Sequence, residues 1–260
     1  MKFLLLNSHD PYLNLAVEEY MFKNSDDDVF MLWQNEKTVV IGKNQNAYAE
    51  INTDFVTENG ITVARRITGG GAVYHDLGNL NYTFISSSRD KGIDFEYFTA
   101  PILEALRSLG ISAELSGRND LETSGLKFSG NAQCSDGKRV LHHGTLLFDS
   151  DITVLSKALS VDEEKLKAKA VKSTRSRVTN LKPLIGRELT VEEFITIISD
   201  FVIKKYSPKI ITPPENAEIE KLRQRNSSKE WIYPNRAYLS SYTIRKKKNA
   251  SERNITKLSL

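Results

Sequence analysis

The sequence predicts an α+β fold built on a mixed, largely antiparallel sheet flanked by helices. Short runs rich in β-branched and aromatic residues fill the first half of the chain, and apolar residues at helical spacing flank them. Connections of hairpin length join several of these runs, which favours antiparallel neighbours. The pattern lacks the regular strand–helix alternation of a doubly wound parallel fold.

Three helices have recognisable starts or apolar faces. The first begins at Pro11, because Asp10 suits the N-cap and proline suits the first helical position. Residues 98–109 carry the apolar spacing of a second helix. Thr190 and Glu193 match a capping box and predict the start of a third.

The strands are predicted from short apolar runs bounded by turn residues. A tight turn at residues 135–138 separates the last two, and three prolines predict a break in regular structure at 207–214. The predicted strands are 29–33, 38–41, 62–65, 72–75, 80–86, 127–133 and 139–148.

Composition limits the class of protein. The chain has 260 residues, of which 40% are hydrophobic and 27% charged, as in ordinary globular proteins. No apolar run approaches the roughly 20 residues that a membrane-spanning helix needs. A single cysteine excludes an internal disulfide and a multi-cysteine metal site, which favours a cytoplasmic protein.

The net charge of +3 is unevenly distributed. Residues 241–260 carry six Lys or Arg and one Glu, so the rest of the chain is nearly neutral. We therefore expect residues 1–240 to form the folded domain and residues 241–260 to form a basic, flexible tail. A nucleic-acid binder concentrates basic charge on its folded surface, so we expect no nucleic-acid partner. Because no apolar run is long enough to span a bilayer, we also expect no membrane partner.

Residues 65–79 contain the most informative segment, two arginines followed by three glycines. Without Cβ atoms, Gly69, Gly70 and Gly71 let backbone N–H groups turn toward an anion or a flat ligand. The preceding Arg65 and Arg66 could clamp a carboxylate or phosphate. A flexible turn with two surface arginines is the alternative. The segment is neither a P-loop nor a dinucleotide fingerprint, since it lacks Gly-Lys-Ser/Thr and a following helix.

Lys127 is the second candidate. It lies in a predicted strand among small residues, where an ammonium group can polarise a carbonyl or hold phosphate oxygens. A solvent-facing strand lysine is the alternative, and spacing alone leaves both open.

Histidine and cysteine also offer chemistry. His142 and His143 are adjacent on a strand and point to opposite faces, so they do not chelate one metal, and at least one is expected to pack in the core. Cys134 precedes the turn and is expected to be exposed, with a nucleophilic role less favoured than an incidental one.

Taken together, these segments resemble the lipoate–protein ligase family, which shares its fold with biotin–protein ligases and class II aminoacyl-tRNA synthetases. The resemblance covers about residues 10–235 and is specific in combination. The matching segments are 14–20, 40–46, 50–52, 65–79, 117–120, 127–133, 142–147 and 173–181.

The resemblance implies a chemistry that needs no nucleophile from the enzyme. Lipoate and ATP, with Mg²⁺, would give lipoyl-AMP and pyrophosphate, and a carrier lysine would then displace AMP. Such an enzyme works by positioning and charge stabilisation.

The resemblance also implies roles for individual residues. Lys127 would be the catalytic residue, contacting the acyl carbonyl and the α-phosphate, and Asp120 is a possible Mg²⁺ ligand. Lys127, Gly70 and His143 would bind lipoate. Trp33 and Val39 are candidates for the apolar pocket that would hold its dithiolane tail. The expected ATP and lipoyl-AMP contacts are Arg66, Gly69, Gly70, Gly71, Ala72, Val73, Tyr74, His75, Asn79, Asn119, Asp120 and Lys127.

The implied partners are lipoyl domains of 2-oxoacid dehydrogenase complexes and the glycine cleavage H protein. Common bacterial members of the family continue into an accessory domain, and we expect this domain to be absent here. A separate accessory protein is therefore a further expected partner, and transfer from preformed acyl-AMP is an alternative activity. Two rival functions stay open at this point, a cysteine-dependent octanoyl or lipoyl transferase and a non-catalytic acyl-AMP or carrier-binding protein.

Overall fold

The computed structural model describes residues 1–87, 94–159 and 178–234 of the chain. Its strands are β1 Lys2–Leu5, β2 Val29–Trp33, β3 Thr38–Ile41, β4 Thr62–Arg65, β5 Val73–His75, β6 Asn79–Ser87, β7 Glu114–Ser116, β8 Asp120–Thr123, β9 Leu126–Ser135, β10 Arg139–Leu147 and β11 Lys209–Ile210. Its helices are α1 Pro11–Asn24, α2 Ala47–Glu50, α3 Thr53–Glu58, α4 Phe95–Ser108, α5 Ile152–Ala158, α6 Val191–Tyr206, α7 Ala217–Ser227 and α8 Lys229–Ile232. A short 3₁₀ helix covers Lys182–Leu184.

An eight-stranded sheet forms the centre of the molecule, in the order β11-β1-β2-β6-β10-β9-β8-β7. Within this sheet, each neighbouring pair in the order β2-β6-β10-β9-β8-β7 is antiparallel. Strand β1 pairs parallel with both β2 and β11. The predicted α+β class with a mixed, largely antiparallel sheet is confirmed.

A smaller sheet, in the order β4-β3-β5, lies beside the large one. Strands β3 and β4 are parallel, and α2 and α3 form the crossover between them, whereas β5 runs antiparallel to β3. The glycine segment connects β4 to β5, so this sheet fixes both ends of that segment.

Alternation along the strands divides the core between the two faces of the large sheet. Phe30 and Leu32 of β2 pack with α4 and α6 on one face. Met31 and Trp33 pack with α1 on the other face, where Ile219 of α7 joins them. The small sheet lies on the α1 face, because Val40 and Ala64 belong to the same cluster.

Most predicted elements are confirmed, and the caps form as expected. The Asp10 side chain accepts hydrogen bonds from the first turn of α1, and Thr190 and Glu193 complete a capping box at α6. Helix α4 begins three residues before the predicted position, because Asp94 provides its N-cap. The predicted turn joins β9 and β10 as a hairpin.

The predicted break at 207–214 is wrong in part, because Lys209 and Ile210 form strand β11 beside β1. The sequence patterns do not predict strands β1, β7 and β8 or helices α2, α3, α5, α7 and α8. Within the described ranges, no helix is long and apolar enough to cross a bilayer. The predicted tail at 241–260 lies outside the described residues, as does the 173–177 part of the last matching segment.

We expect Thr190→Ala to lower the free energy of unfolding by about 1 kcal/mol, because the hydroxyl accepts from the Glu193 N–H at the start of α6. Chemical denaturation measures this change. Thr196→Ala on the same helix is the control, since its exposed hydroxyl bonds only within a formed turn. An equal loss in both variants would contradict the capping role.

Candidate active site

A cavity of about 110 Å³ lies between the α1 face of the large sheet and the glycine segment. Apolar side chains of Leu15, Trp33 and Val40 form part of its wall, and charged or polar groups form the rest. We call it the first cavity. Its other lining residues are Arg66, Gly70, Gly71, Ala72, Val73, His75, Asn81, Asn119, Lys127, Gly130, Asn131, Ala132, His143, Gly144 and Thr145.

A second cavity of about 180 Å³ adjoins the first. The residues that line both are Ala72, Val73, Lys127, Gly130 and Thr145. The second cavity alone is lined by Tyr74, Ser129, Leu147, Ile152, Leu155, Ser156, Leu159 and Val178. The two cavities therefore meet at the amine of Lys127 and at the end of the glycine segment.

Lys127 occupies this junction with its side chain 31% exposed, so its amine is accessible without being at the open surface. Nζ lies 2.8 Å from Asp120 Oδ1 on the neighbouring strand β8. Gly130 leaves room for it, because a Cβ at that position would lie 3.3 Å from Nζ. The expectation that small neighbours create space beside Lys127 agrees with this geometry.

Arg66 determines the shape of the glycine segment. Its guanidinium is buried and donates to the carbonyl oxygens of Gly69 and Gly71 at 2.7 Å and of Val40 at 3.1 Å. Burial lowers its pKa to about 10, which keeps it charged at neutral pH. Gly70 takes φ +96°, a conformation that favours glycine. The segment is therefore an ordered bend around a cation.

The expectation that both arginines clamp one anion is wrong. Arg65 and Arg66 point to opposite sides at the end of β4, and the Arg65 guanidinium binds backbone carbonyls on the far side. Its acceptors are the carbonyl oxygens of Gly42, Lys43, Gln45, Trp231 and Ile232. Arg65 is thus a structural link between the 42–45 loop and α8.

A buried hydrogen-bonded chain supports Arg66 from the α1 side. Arg66 Nε donates to Thr68 Oγ1 at 3.0 Å, and Thr68 Oγ1 lies 2.8 Å from His143 Nε2. His143 Nδ1 lies 2.9 Å from Glu18 Oε1, which also accepts from Thr83 at 2.6 Å. No role was predicted for Glu18 or Thr68. The sequence signal for Glu18 is its position as a charged residue within the apolar face of α1.

His142 faces away from both cavities, as the alternation of adjacent strand residues predicts. Its ring stacks on Phe98 with centroids 5.3 Å apart, and Gln133 donates to Nδ1 at 2.7 Å. Burial lowers the pKa of His142 well below its ordinary value. The predicted packing role for one histidine therefore belongs to His142.

The expectation that Cys134 is exposed in a turn is wrong, because it lies partly buried near the end of β9. It packs against the cluster that includes Met21 and Leu141, since the hairpin turn begins after it. Burial raises the pKa of its thiol to about 12, which disfavours the nucleophilic thiolate.

His75 is buried on the wall of the first cavity and is held neutral. Burial, with the nearby positive charge of Arg66, lowers its pKa to about 3. Asn35 Nδ2 lies 3.1 Å from His75 Nδ1, and the ring edge faces Trp33.

Most of the predicted site residues come together around the two cavities. Gly69 and Asn79 line neither, since Gly69 contributes a carbonyl to Arg66 and Asn79 is buried beside Asn81. Asp120 reaches the site through its ion pair with Lys127. Of the two residues suggested for the pocket of the lipoate tail, Trp33 lines the first cavity and Val39 packs in the core of the small sheet. The predicted residues that line a cavity are Arg66, Gly70, Gly71, Ala72, Val73, Tyr74, His75, Asn119, Lys127 and His143.

Comparison with protein families and a curated relative gives a consistent result. A model of the lipoyl protein ligase A/B catalytic domain matches residues 10–202. The lipoate–protein ligase LplJ of Bacillus subtilis is 49% identical over 191 residues, which make up 72% of this chain. The chain spans only 58% of the length of that relative.

Two solved structures share the fold over most of the chain. One is a bipartite lipoate protein ligase, solved with its E2 lipoyl domain, from Thermoplasma acidophilum. It has 29% identity and a TM-score of 0.77, and the match covers 89% of this chain and 95% of that one. The other is lipoate–protein ligase A bound with ATP, with 27% identity, a TM-score of 0.72, and 89% and 98% coverage.

We expect His75 to remain neutral at pH 5 and to carry its proton on Nε2, because Asn35 donates to Nδ1. Since its pKa is depressed in the folded state, acidification from about 6.5 toward about 3 progressively favours unfolding. Long-range ¹H–¹⁵N NMR spectra report both the charge and the tautomer. A ring that protonates near pH 6.5 would contradict this assignment.

Proposed function

The chain belongs to the lipoyl protein ligase A/B catalytic domain family, and from that membership we propose that it attaches lipoate to a lysine of a carrier domain, using ATP. Lipoate and ATP give lipoyl-AMP and pyrophosphate. The carrier amine then attacks the acyl carbon and releases AMP. The observation that carries the proposal is the amine of Lys127 at the junction of two cavities.

The two cavities suit the two halves of an acyl adenylate. The first has apolar walls from Leu15, Trp33 and Val40, which fit the acyl tail. The second extends along Tyr74 and Ile152 and fits the adenosine. The mixed anhydride that joins the two halves would then lie beside Lys127.

Lys127 supplies charge stabilisation rather than a covalent intermediate. During both steps negative charge develops on the acyl oxygen and on the phosphate, and a fixed ammonium group lowers the energy of these states. The ion pair with Asp120 holds the amine in position, and the missing Cβ of Gly130 leaves room for it. Arg66, held by the carbonyls of the glycine bend, adds positive potential without leaving its hydrogen bonds.

Asp120 and Asn119 offer oxygen ligands beside the phosphates for Mg²⁺, which would neutralise phosphate charge when bound. Within the described ranges no group of three His, Cys, Asp or Glu side chains could hold a metal ion. This fits a Mg²⁺ held mainly by substrate phosphates and water, with one carboxylate from the protein.

The carriers we propose are lipoyl domains of 2-oxoacid dehydrogenase complexes and the glycine cleavage H protein. The Thermoplasma ligase of the same fold was solved with an E2 lipoyl domain, which supports this class of partner. We propose that the reaction takes place in the cytoplasm, in keeping with a chain that has one cysteine.

A second candidate function is transfer from preformed lipoyl-AMP, with ATP activation requiring a separate accessory protein. It is supported by one observation, since a ligase described as bipartite shares the fold of this chain at 29% identity. A cysteine-dependent acyl transferase is disfavoured, because burial suppresses the Cys134 thiolate.

Mass spectrometry of an apo lipoyl domain separates these functions. We expect the carrier to gain the mass of a lipoyl group when this chain, ATP, Mg²⁺ and lipoate are supplied. A gain only with synthetic lipoyl-AMP would support the transferase. No gain under either condition would contradict both activities and leave a binding protein.

We expect Lys127→Ala to reduce carrier modification at least about a hundredfold, because the developing negative charge loses its fixed cation. The fold should survive, since the side chain is partly exposed and outside the core. Lys138→Ala, in the exposed β9–β10 turn, is the matched control. Retention of most activity by the Lys127 variant would overturn the proposed role.

We expect Gly42→Ala to weaken ATP binding at least about tenfold, because its Cβ would lie 2.3 Å from the Gly70 carbonyl oxygen and displace the glycine bend. Gly186→Ala is the control, since nothing lies within 4 Å of a Cβ there. Calorimetric titration with ATP measures the change. Unchanged affinity in the Gly42 variant would show that the bend does not bind the nucleotide.

A further inference from the structure

We propose that His75 Nε2 and Asn81 Nδ2 form a pair of hydrogen-bond donors that binds acceptor atoms at the far end of the acyl tail. The pair would favour a sulfur-bearing acid such as lipoate over an unsubstituted acid of the same length, octanoate. The inference rests on the proposed function and adds a determinant of its substrate choice.

Both donors are buried and lack a partner within the described ranges. His75 is 3% exposed and Asn81 is 1% exposed, and both residues line the first cavity. His75 Nε2 and Asn81 Nδ2 make no hydrogen bond with any described residue. Buried polar groups are almost always hydrogen-bonded, so two such atoms on one cavity wall point to a ligand that carries acceptors.

A fixed chain of amides determines which nitrogen of His75 carries the proton. Asn14 Nδ2 donates to the backbone carbonyls of Ser8 and Gln34, at 2.9 and 2.8 Å, and these groups only accept. The same nitrogen shares its two N–H groups among these carbonyls and Asn35 Oδ1, which lies 3.0 Å away, so Asn35 turns its Nδ2 toward His75 Nδ1.

His75 Nδ1 is therefore the acceptor, and the proton of the neutral ring is on Nε2. The low pKa of this ring keeps that tautomer neutral throughout the physiological range. The ring thus presents a permanent N–H donor.

Asn81 presents the second donor. Asn79 Nδ2 donates to Asn81 Oδ1 at 2.9 Å, which occupies the oxygen and leaves Asn81 Nδ2 as the free group. Asn81 pairs with Trp33 across β2 and β6, so the donor lies beside the apolar wall of the cavity.

The position of the pair suits the end of a medium-length acyl chain. The Lys127 amine lies beside Gly130 of β9, and the Gly130 N–H donates to Thr145 of β10, which pairs with Asn81 of β6. Two strand spacings amount to about 10 Å, close to the length of an extended octanoyl chain. An acyl group whose carbonyl lies at Lys127 would therefore bring its tail to His75 and Asn81.

A purely hydrocarbon tail would displace water from both donors and leave them unpaired, which weakens binding. The dithiolane sulfurs of lipoate are weak acceptors on an otherwise apolar ring, so they reduce this loss. Sites built to hydrogen-bond a substrate group reject analogues that lack it.

Calorimetric titration of the full chain with lipoate, octanoate and 8-hydroxyoctanoate tests the inference. We expect lipoate to bind about tenfold more tightly than octanoate. We also expect the hydroxylated acid to bind more tightly than octanoate, although a hydroxyl group ordinarily weakens binding to an apolar slot. Equal affinities for the three acids would overturn the inference and leave the proposed function intact.

Variants assign the effect to the two residues. Asn81→Leu and His75→Leu should each reduce the lipoate-to-octanoate affinity ratio several-fold, chiefly by tightening octanoate. His75→Gln should retain most of the ratio, since its amide can donate near the Nε2 position. Ser86→Ala is the control, because it removes a hydrogen bond to Asp28 from the same strand outside the cavity.

Thermal denaturation identifies any variant that fails to fold, and the three-acid comparison on the unaltered chain does not depend on the variants. An unchanged ratio in folded Asn81→Leu and His75→Leu would overturn the inference. If no acid binds and no carrier is modified, the proposed function fails, and the inference fails with it.

Discussion

The site depends on one buried cation enclosed by backbone carbonyls. Arg66 donates to the carbonyls on either side of Gly70, so the glycine bend has a single shape before any ligand arrives. A buried guanidinium is unfavourable without compensation, and Glu18 provides it through His143 and Thr68. Because helix α1 supplies Glu18, the packing of that helix on the large sheet also maintains the geometry of the bend. Preorganisation of this kind reduces the entropy lost when a ligand binds.

Strand alternation assigns neighbouring residues to different tasks. His143 supports the bend on one face of the large sheet, whereas His142 packs against Phe98 on the other. Arg66 and Arg65 diverge in the same way at the end of β4. In each pair, one member serves the cavities and the other stabilises the fold. A substitution at the second member would therefore affect activity only indirectly, through the stability or position of the element that carries it.

Elements with local signals could be predicted from the sequence. Asp10, Thr190 and the 135–138 turn indicated their caps and hairpin, and the strands from β2 to β6 were clear from β-branched runs. Strand β11 was missed because it is two residues long and pairs with β1, more than 200 positions away. In the site, Lys127 and the glycine bend were recognisable, because unusual residue types mark them. The role of Glu18 depends on hydrogen bonds that join α1, β10 and the glycine segment, and the role of Asn81 depends on its place in the wall of the first cavity. The glutamate in the apolar face of α1 marks Glu18 as unusual, but neither role can be assigned from the sequence pattern alone. The predicted clamp by both arginines is wrong because adjacent residues on a strand diverge, at Arg65 and Arg66 as at the two histidines.

The hydrogen bonds of Arg65 determine how far along the chain the folded unit around the glycine bend must extend. Its guanidinium holds the carbonyls of Trp231 and Ile232, and the Trp231 indole donates in return to the Arg65 carbonyl. A version of this chain cut before Trp231 would leave a buried guanidinium without two of its acceptors, next to the loop that supports Gly70. The smallest piece able to fold with an intact bend therefore extends through Ile232, although the last residues of the matched family region lie about thirty positions earlier.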